Sequence, residues 1–154
     1  MSHWNRHYKH LLEPDIALLL DFQVDHFSDY ISWTYDLRIG PGRDPGPEFA
    51  DSIRQMAIDL SRRRIDCLAE TPDRIDLIEI CDCAHYRTIG QLPIYAAHYQ
   101  TEFKPTKPVR TCILCRSIPE DLEIFCLKNG YQTWIYPDEP RTTTELTHTR
   151  GPTT

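Results

Sequence analysis

The apolar positions change period repeatedly along the chain, and each change marks an element. From Pro14 the run DIALLLDFQVDHF has apolar residues at helical spacing with proline near its start, which predicts a first helix. Residues 31–39, ISWTYDLRI, are β-branched and aromatic and predict a strand. The next stretch, GPGRDPGPE, holds three glycines and three prolines and forbids regular structure. Over about 48–62, Phe49, Ile53, Met56, Ala57 and Leu60 fall on one helical face, with Arg54 and Asp59 turned outwards. RRIDCLAE and IDLIEICDC then read as two strands joined by the turn TPDR, an antiparallel hairpin.

Residues 87–103 predict a helix with Leu92, Tyr95, Ala96, Tyr99 and Phe103 on one stripe. Pro93 fits that helix only in or near its first turn. After the linker KPTKP come a strand, VRTCILCRS, a helix, PEDLEIFCLKNG, and a last strand, YQTWIYP. The sum is an α/β domain over 13–137, a mixed sheet of about five strands with helices on both faces. Residues 1–12 form an N-terminal arm, with His3, His7 and His10 spaced for one helical face. Residues 138–154 form a Thr/Pro-rich tail with too few apolar residues to pack by itself.

A length of 154 residues suits one domain, and 40% hydrophobic with 26% charged residues is ordinary for a soluble globular chain. IALLL at 16–20 is too short for a signal core or a bilayer span, so a soluble, unprocessed protein of cytoplasmic origin is expected. The net charge of −6 argues against strong non-specific binding to nucleic acid. Arg62, Arg63 and Arg64 make a local basic patch, read here as a solvated helix end. Six cysteines are many, but nothing in the sequence makes a disulfide framework the default.

The candidate chemistry lies in the hairpin. Alternation puts Leu77, Glu79, Cys81 and Cys83 on one side of their strand and Ile78, Ile80 and Asp82 on the other. Asp66 in the partner strand can share the face of Glu79. A helix bearing Gln91 and Tyr95 follows. Two carboxylates converging under such a helix suit a hard divalent ion such as Mg²⁺. A carboxylate inside an apolar strand is costly unless paired, and Arg87 or Tyr95 is the expected partner of Glu79. Asp36 reads either as a strand-edge residue or as a further acidic ligand.

These residues resemble the PD-(D/E)XK nuclease superfamily, which has an Asp on one strand, Glu-x-Lys on the next, then a helix. The RecB-like branch adds Gln-x-x-x-Tyr on that helix. The counterparts are Asp66, Glu79-Ile80-Cys81, and Gln91 with Tyr95, and the resemblance spans about residues 31–137. Small proteins of tailed bacteriophages look similar over the same span. The departure is Cys81, which stands where the family has its lysine. A thiol supplies no fixed positive charge, and a thiolate would repel phosphate. Arg87 is the one nearby cation that could stand in.

The resemblance therefore implies a nuclease-like core with a vestigial site: Asp66, Glu79, Cys81, Gln91 and Tyr95, no expected catalysis and no cofactor. The expected role is a virion structural protein at a head–tail junction or in a tail, contacting other virion proteins and its own copies through both arms. The first alternative is an active Mg²⁺-dependent DNA nuclease with Asp66 and Glu79 as ligands. The second is a soft-metal or disulfide site among Cys81, Cys83, Cys112 and Cys115. Cys112 and Cys115, three apart on a strand, should face opposite ways and so not share one metal.

Overall fold

A computed structural model describes residues 10–138, and the expectations for His3, His7 and the Thr/Pro-rich tail lie outside these residues. The helix α1 spans Glu13–His26, with proline in its first turn as expected. The strand β1 is Ser32–Ile39, α2 is Asp51–Ser61, and the hairpin strands are β2, Arg63–Glu70, and β3, Ile75–Cys83. Then follow α3, Tyr86–Phe103; β4, Val109–Ser117; α4, Glu120–Lys128; and β5, Gln132–Ile135. The five strands form one sheet in the order β1-β2-β3-β4-β5, antiparallel through β3 and parallel from β3 to β5. The expected α/β class with a mixed sheet holds. No helix among the described residues is long and apolar enough to cross a membrane.

The hairpin turn is fixed by Thr71. Its amide donates to the Arg74 carbonyl at 2.9 Å, and its hydroxyl accepts the Arg74 amide at 3.0 Å. That closes the ladder and sets the register Glu70↔Ile75 through Cys67↔Ile78.

Alternation along the strands feeds two faces. Leu18, Leu19 and Phe22 of α1 pack on Cys67, Ile78, Ile80, Cys112 and Leu114 on one face. On the other, α3 lays Tyr95 and Tyr99 on Ile65, Leu68 and Leu77, and Leu92 packs with Ile113, Cys115 and Cys126 of α4. Burial of about a dozen such side chains, each contributing roughly 1.5–3 kcal/mol, is what opposes the chain entropy.

A buried ion pair ties the near end of the sheet. Asp76 is 0% exposed and accepts both Arg110 Nε at 2.9 Å and Arg110 Nη2 at 2.8 Å, with the Tyr30 hydroxyl at 2.7 Å. Arg74 Nε adds a longer contact at 3.3 Å. The Arg110 guanidinium lies 5.5 Å from the Trp134 ring centroid. Each oxygen of the carboxylate has at least two donors, so the charge is tolerated in the core.

Three local expectations need correction. The α2 stripe does not pack into the core: Ile53, Met56 and Leu60 are 46, 57 and 67% exposed, and no residue of α2 is buried. The helix is held instead by polar ties: Arg38 donates to the Asp59 carbonyl, Arg43 N to Ser61 Oγ at 2.6 Å, and Arg54 Nε to Asp44 at 2.9 Å. Periodicity shows that a face is apolar but not what covers it. Pro93 sits deep inside α3, not in its first turn. Its ring removes the donor for the Ile89 carbonyl, a local loss that the burial of Leu92, Tyr95 and Tyr99 offsets. Phe103, expected on the buried stripe, is 45% exposed and stacks on Tyr99.

Candidate functional site

The site forms where the strand ladder breaks. Tyr35↔Cys67 and Leu37↔Ile65 are in register, so Asp36 and Asp66 stand opposite each other between those pairs. Tyr35 and Cys67 face the α1 side, yet Leu37 and Ile65 face the α3 side, so the alternation resets at this point. Asp36 takes up the reset in a left-handed conformation, φ 53°, which Asp tolerates better than most residues. On the other flank the β2–β3 register ends at Cys67↔Ile78, which brings Asp66 beside Glu79. The Asp66 carboxylate then accepts the amide of Ile80 at 2.9 Å. A side chain takes over where backbone pairing stops.

Glu79 points to the α3 side. Its Oε1 accepts Gln91 Nε2 at 3.2 Å, while Oε2 is buried with no hydrogen-bond partner. Burial, and then the Asp66 charge, push the Glu79 carboxyl up to about 9. Burial also raises Asp66, to about 6, against the Ile80 amide; Asp15 and Asp36 add to the rise and Arg64 opposes it. Two carboxyls here each resist ionisation, and one of them has an oxygen without a donor, so a nearby positive charge would favour the ionised form of both. Tyr95 is raised to about 12 by burial, then by Glu79 and Asp66.

Above the pair opens a cleft of about 730 Å³. Its lining includes Arg43, Arg62, Arg63 and Arg64, with His10 and His98, over Asp66, Glu79 and Tyr95. The loop after β1 forms one rim. Gly42 there has φ 70°, and an added Cβ would come within 2.2 Å of the Ile58 carbonyl oxygen, so this approach to α2 requires glycine.

The structure thus brings together Asp66, Glu79, Gln91 and Tyr95, and it places Asp36 beside Asp66. Neither expected partner of Glu79 serves as such; Gln91 does. Arg87 is exposed at the start of α3 and does not line the cleft. Cys81 is half-buried, and burial followed by the neighbouring Cys115 raises its thiol to about 12. It is a neutral thiol at physiological pH and so neither attracts nor repels phosphate, which corrects the thiolate argument.

The soft-ligand constellation does not assemble. All six cysteines are free, and among the described residues no group of three or more His, Cys, Asp or Glu is placed to hold a metal ion. Cys112 lies in the α1-side core and Cys115 on the opposite side, as alternation requires. Cys81 is the register neighbour of Cys115, and Cys83 is exposed.

The arginine wall is what sequence reasoning missed. Arg62 caps the end of α2, and Arg63 and Arg64 open β2, so the triplet faces a cleft rather than bulk solvent. The available signal was its position, at the very start of the strand that carries Asp66.

No family model matches the chain, and no curated protein matches it. Among solved structures it is similar to the crystal structure of a repair endonuclease from Pyrococcus abyssi. The sequence identity is 14% and the TM-score 0.48, over 84% of this chain and 49% of that one. The chain spans about half the length of that protein.

Proposed function

We propose that the cleft binds nucleic-acid backbone and cleaves its phosphodiester bonds with a divalent ion. The observation that carries this reading is the neighbouring carboxyls of Asp66 and Glu79, the latter with an oxygen that has no donor, lining one cleft with four arginines. The net charge of −6 is an average over the chain, whereas this cleft is locally basic and suited to phosphates.

Asp66 and Glu79 would hold the ion. Two carboxylates are few, which suits Mg²⁺, since it keeps waters and takes phosphate oxygens as further ligands. Such an ion supplies Lewis acidity towards a phosphoryl oxygen when bound. The chain's own residues do the rest. The Ile80 amide fixes one carboxylate, and the Gln91 amide fixes the other. The arginine wall offsets the charge of the backbone and aligns it.

The test is degradation of linear single- and double-stranded DNA in Mg²⁺ or Mn²⁺. Turnover by the wild-type chain that disappears in Glu79→Gln is expected, and no turnover with either ion defeats the proposal.

The second reading is a non-catalytic assembly role, a virion subunit on the same core. It is favoured by the open apolar face of α2 and by the neutral thiol at position 81. The open face speaks for assembly in general; the phage particle rests on the sequence resemblance alone. Presence of the protein in purified particles, with no nuclease activity, is the result that would select it.

A further inference from the structure

We propose that Arg64, on β2, is the cation that meets the reacting phosphate, supplying from a neighbouring strand the charge that position 81 lacks. The inference rests on the nuclease reading of the cleft and adds to it the residue that engages the substrate.

Four arginines line the cleft, but they are not equally available. Arg62 is committed: its Nε donates to the Gly40 carbonyl at 2.8 Å, and its Nη2 to the Arg38 carbonyl at 3.1 Å and to Glu102. It is a strap between the loop, β1 and α3. Arg43 is exposed on the rim loop. Arg63 is exposed. Arg64 is half-buried and sits two residues before Asp66 on the same strand.

Its surroundings give Arg64 no protein partner. Among the described residues its guanidinium makes no hydrogen bond and no ion pair, and it lines the cleft together with Asp66, Glu79 and Tyr95. A guanidinium with uncommitted donors on the wall of a cleft is free to receive an anion that enters it. Its register partner across the sheet is Arg38, another cation. Like charges directly opposite each other on a sheet are unfavourable. Arg38 donates to the Asp59 carbonyl and does not line the cleft, so of these two paired arginines it is Arg64 that faces it. The planar fork of arginine fits two oxygens of one phosphate, so the ligand class is a phosphodiester backbone engaged beside the acidic pair.

The experiment measures binding and turnover separately, on the full chain. Binding of a short fluorescein-labelled single-stranded DNA is followed by anisotropy in Ca²⁺ at several salt concentrations. Arg64→Gln should weaken binding about tenfold and reduce the salt slope by about one. Arg64→Lys, which keeps the charge without the fork, should lie between Arg64→Gln and wild type, and Arg87→Gln should match wild type. If Arg64→Gln does not fold, as judged by circular dichroism, Arg64→Lys decides, and wild-type affinity in it overturns the proposal. Unchanged affinity and salt slope in folded Arg64→Gln overturn it too, as does a wild-type chain that binds no DNA. Arg64-dependent binding without cleavage in Mg²⁺ or Mn²⁺ would sustain the assignment of Arg64 and defeat only the nuclease reading.

Discussion

Gln91 reaches from α3 to Glu79 in β3, its amide nitrogen 3.2 Å from one carboxylate oxygen, and leaves the other oxygen buried and unpaired. One neutral donor does not compensate a desolvated charge, which is why the Glu79 carboxyl rises from 4.5 to about 9. The folded chain therefore holds this proton through a range in which the unfolded chain has released it. More protons bound in the folded state means that stability falls as pH rises, here from about pH 5 towards pH 9. Asp66 adds a smaller loss between 3.8 and about 6. In a chelating buffer, Glu79→Gln should lie close to wild type near pH 5 and be the more stable of the two near pH 8, because only the wild type loses stability across that range. Urea unfolding at the two pH values measures this, and a variant less stable at the higher pH contradicts it.

The same carboxylates give a readout of metal that does not need activity. A cation bound only by the folded state stabilises it by mass action, about 2.7 kcal/mol at a hundredfold excess over its Kd. Mn²⁺ or Mg²⁺ should raise the melting temperature of wild type near pH 8, and EDTA should reverse the rise. Asp66→Asn and Glu79→Gln should each abolish most of it. An equal rise in all three proteins would place the ion elsewhere.

Much of this fold was legible in the sequence because its elements announce themselves locally. Both hairpin strands fall where the alternation and the Thr71–Arg74 turn put them, and Asp66 and Glu79 meet as the antiparallel register requires. What stayed hidden depends on the third dimension. The stripe on α2 looks like any core-facing stripe, and only the assembled chain shows that nothing covers it. The triplet Arg62–Arg64 reads as a solvated helix end until the loop after β1 folds over to make a cleft beside it. Asp76 carries no mark in the sequence of its partners Tyr30 and Arg110, 46 and 34 residues away.

That hidden ion pair gives a stability prediction. Asp76→Ala leaves the Arg110 and Arg74 guanidinia beside a buried void, and removing one partner of a buried pair costs about 3–5 kcal/mol. Tyr30→Phe removes one donor and leaves the bidentate pair, which should cost about 1 kcal/mol. Chemical denaturation of the two variants should give losses well separated in size. Equal, small losses would show that the network is not a staple of the sheet.

The rim of the cleft depends on one glycine. Gly42→Ala must place a Cβ against the Ile58 carbonyl at a positive φ, so either the loop or the end of α2 has to move. The expected cost is about 1–3 kcal/mol, with a matching loss of DNA affinity because Arg43 travels with the loop. Gly130→Ala is the comparison: its φ of 74° carries strain of the same kind, but no atom lies within 4 Å of its added Cβ. That variant should lose stability without losing affinity.

The open face of α2 can be separated from the core by mutation. Ile53 and Met56 are 46 and 57% exposed, so replacing both with serine removes little surface that folding buries. The change in folding free energy should stay within about 0.5 kcal/mol per site, apart from a small helix-propensity cost. Leu92→Ala, at a position that is 0% exposed, should cost about 2–5 kcal/mol by transfer and cavity terms. Unfolding at low protein concentration makes this comparison on the isolated chain. A large loss in the serine double variant there would mean that α2 packs onto the domain after all, and the polar ties from Arg38, Arg43 and Arg54 would no longer be what holds it.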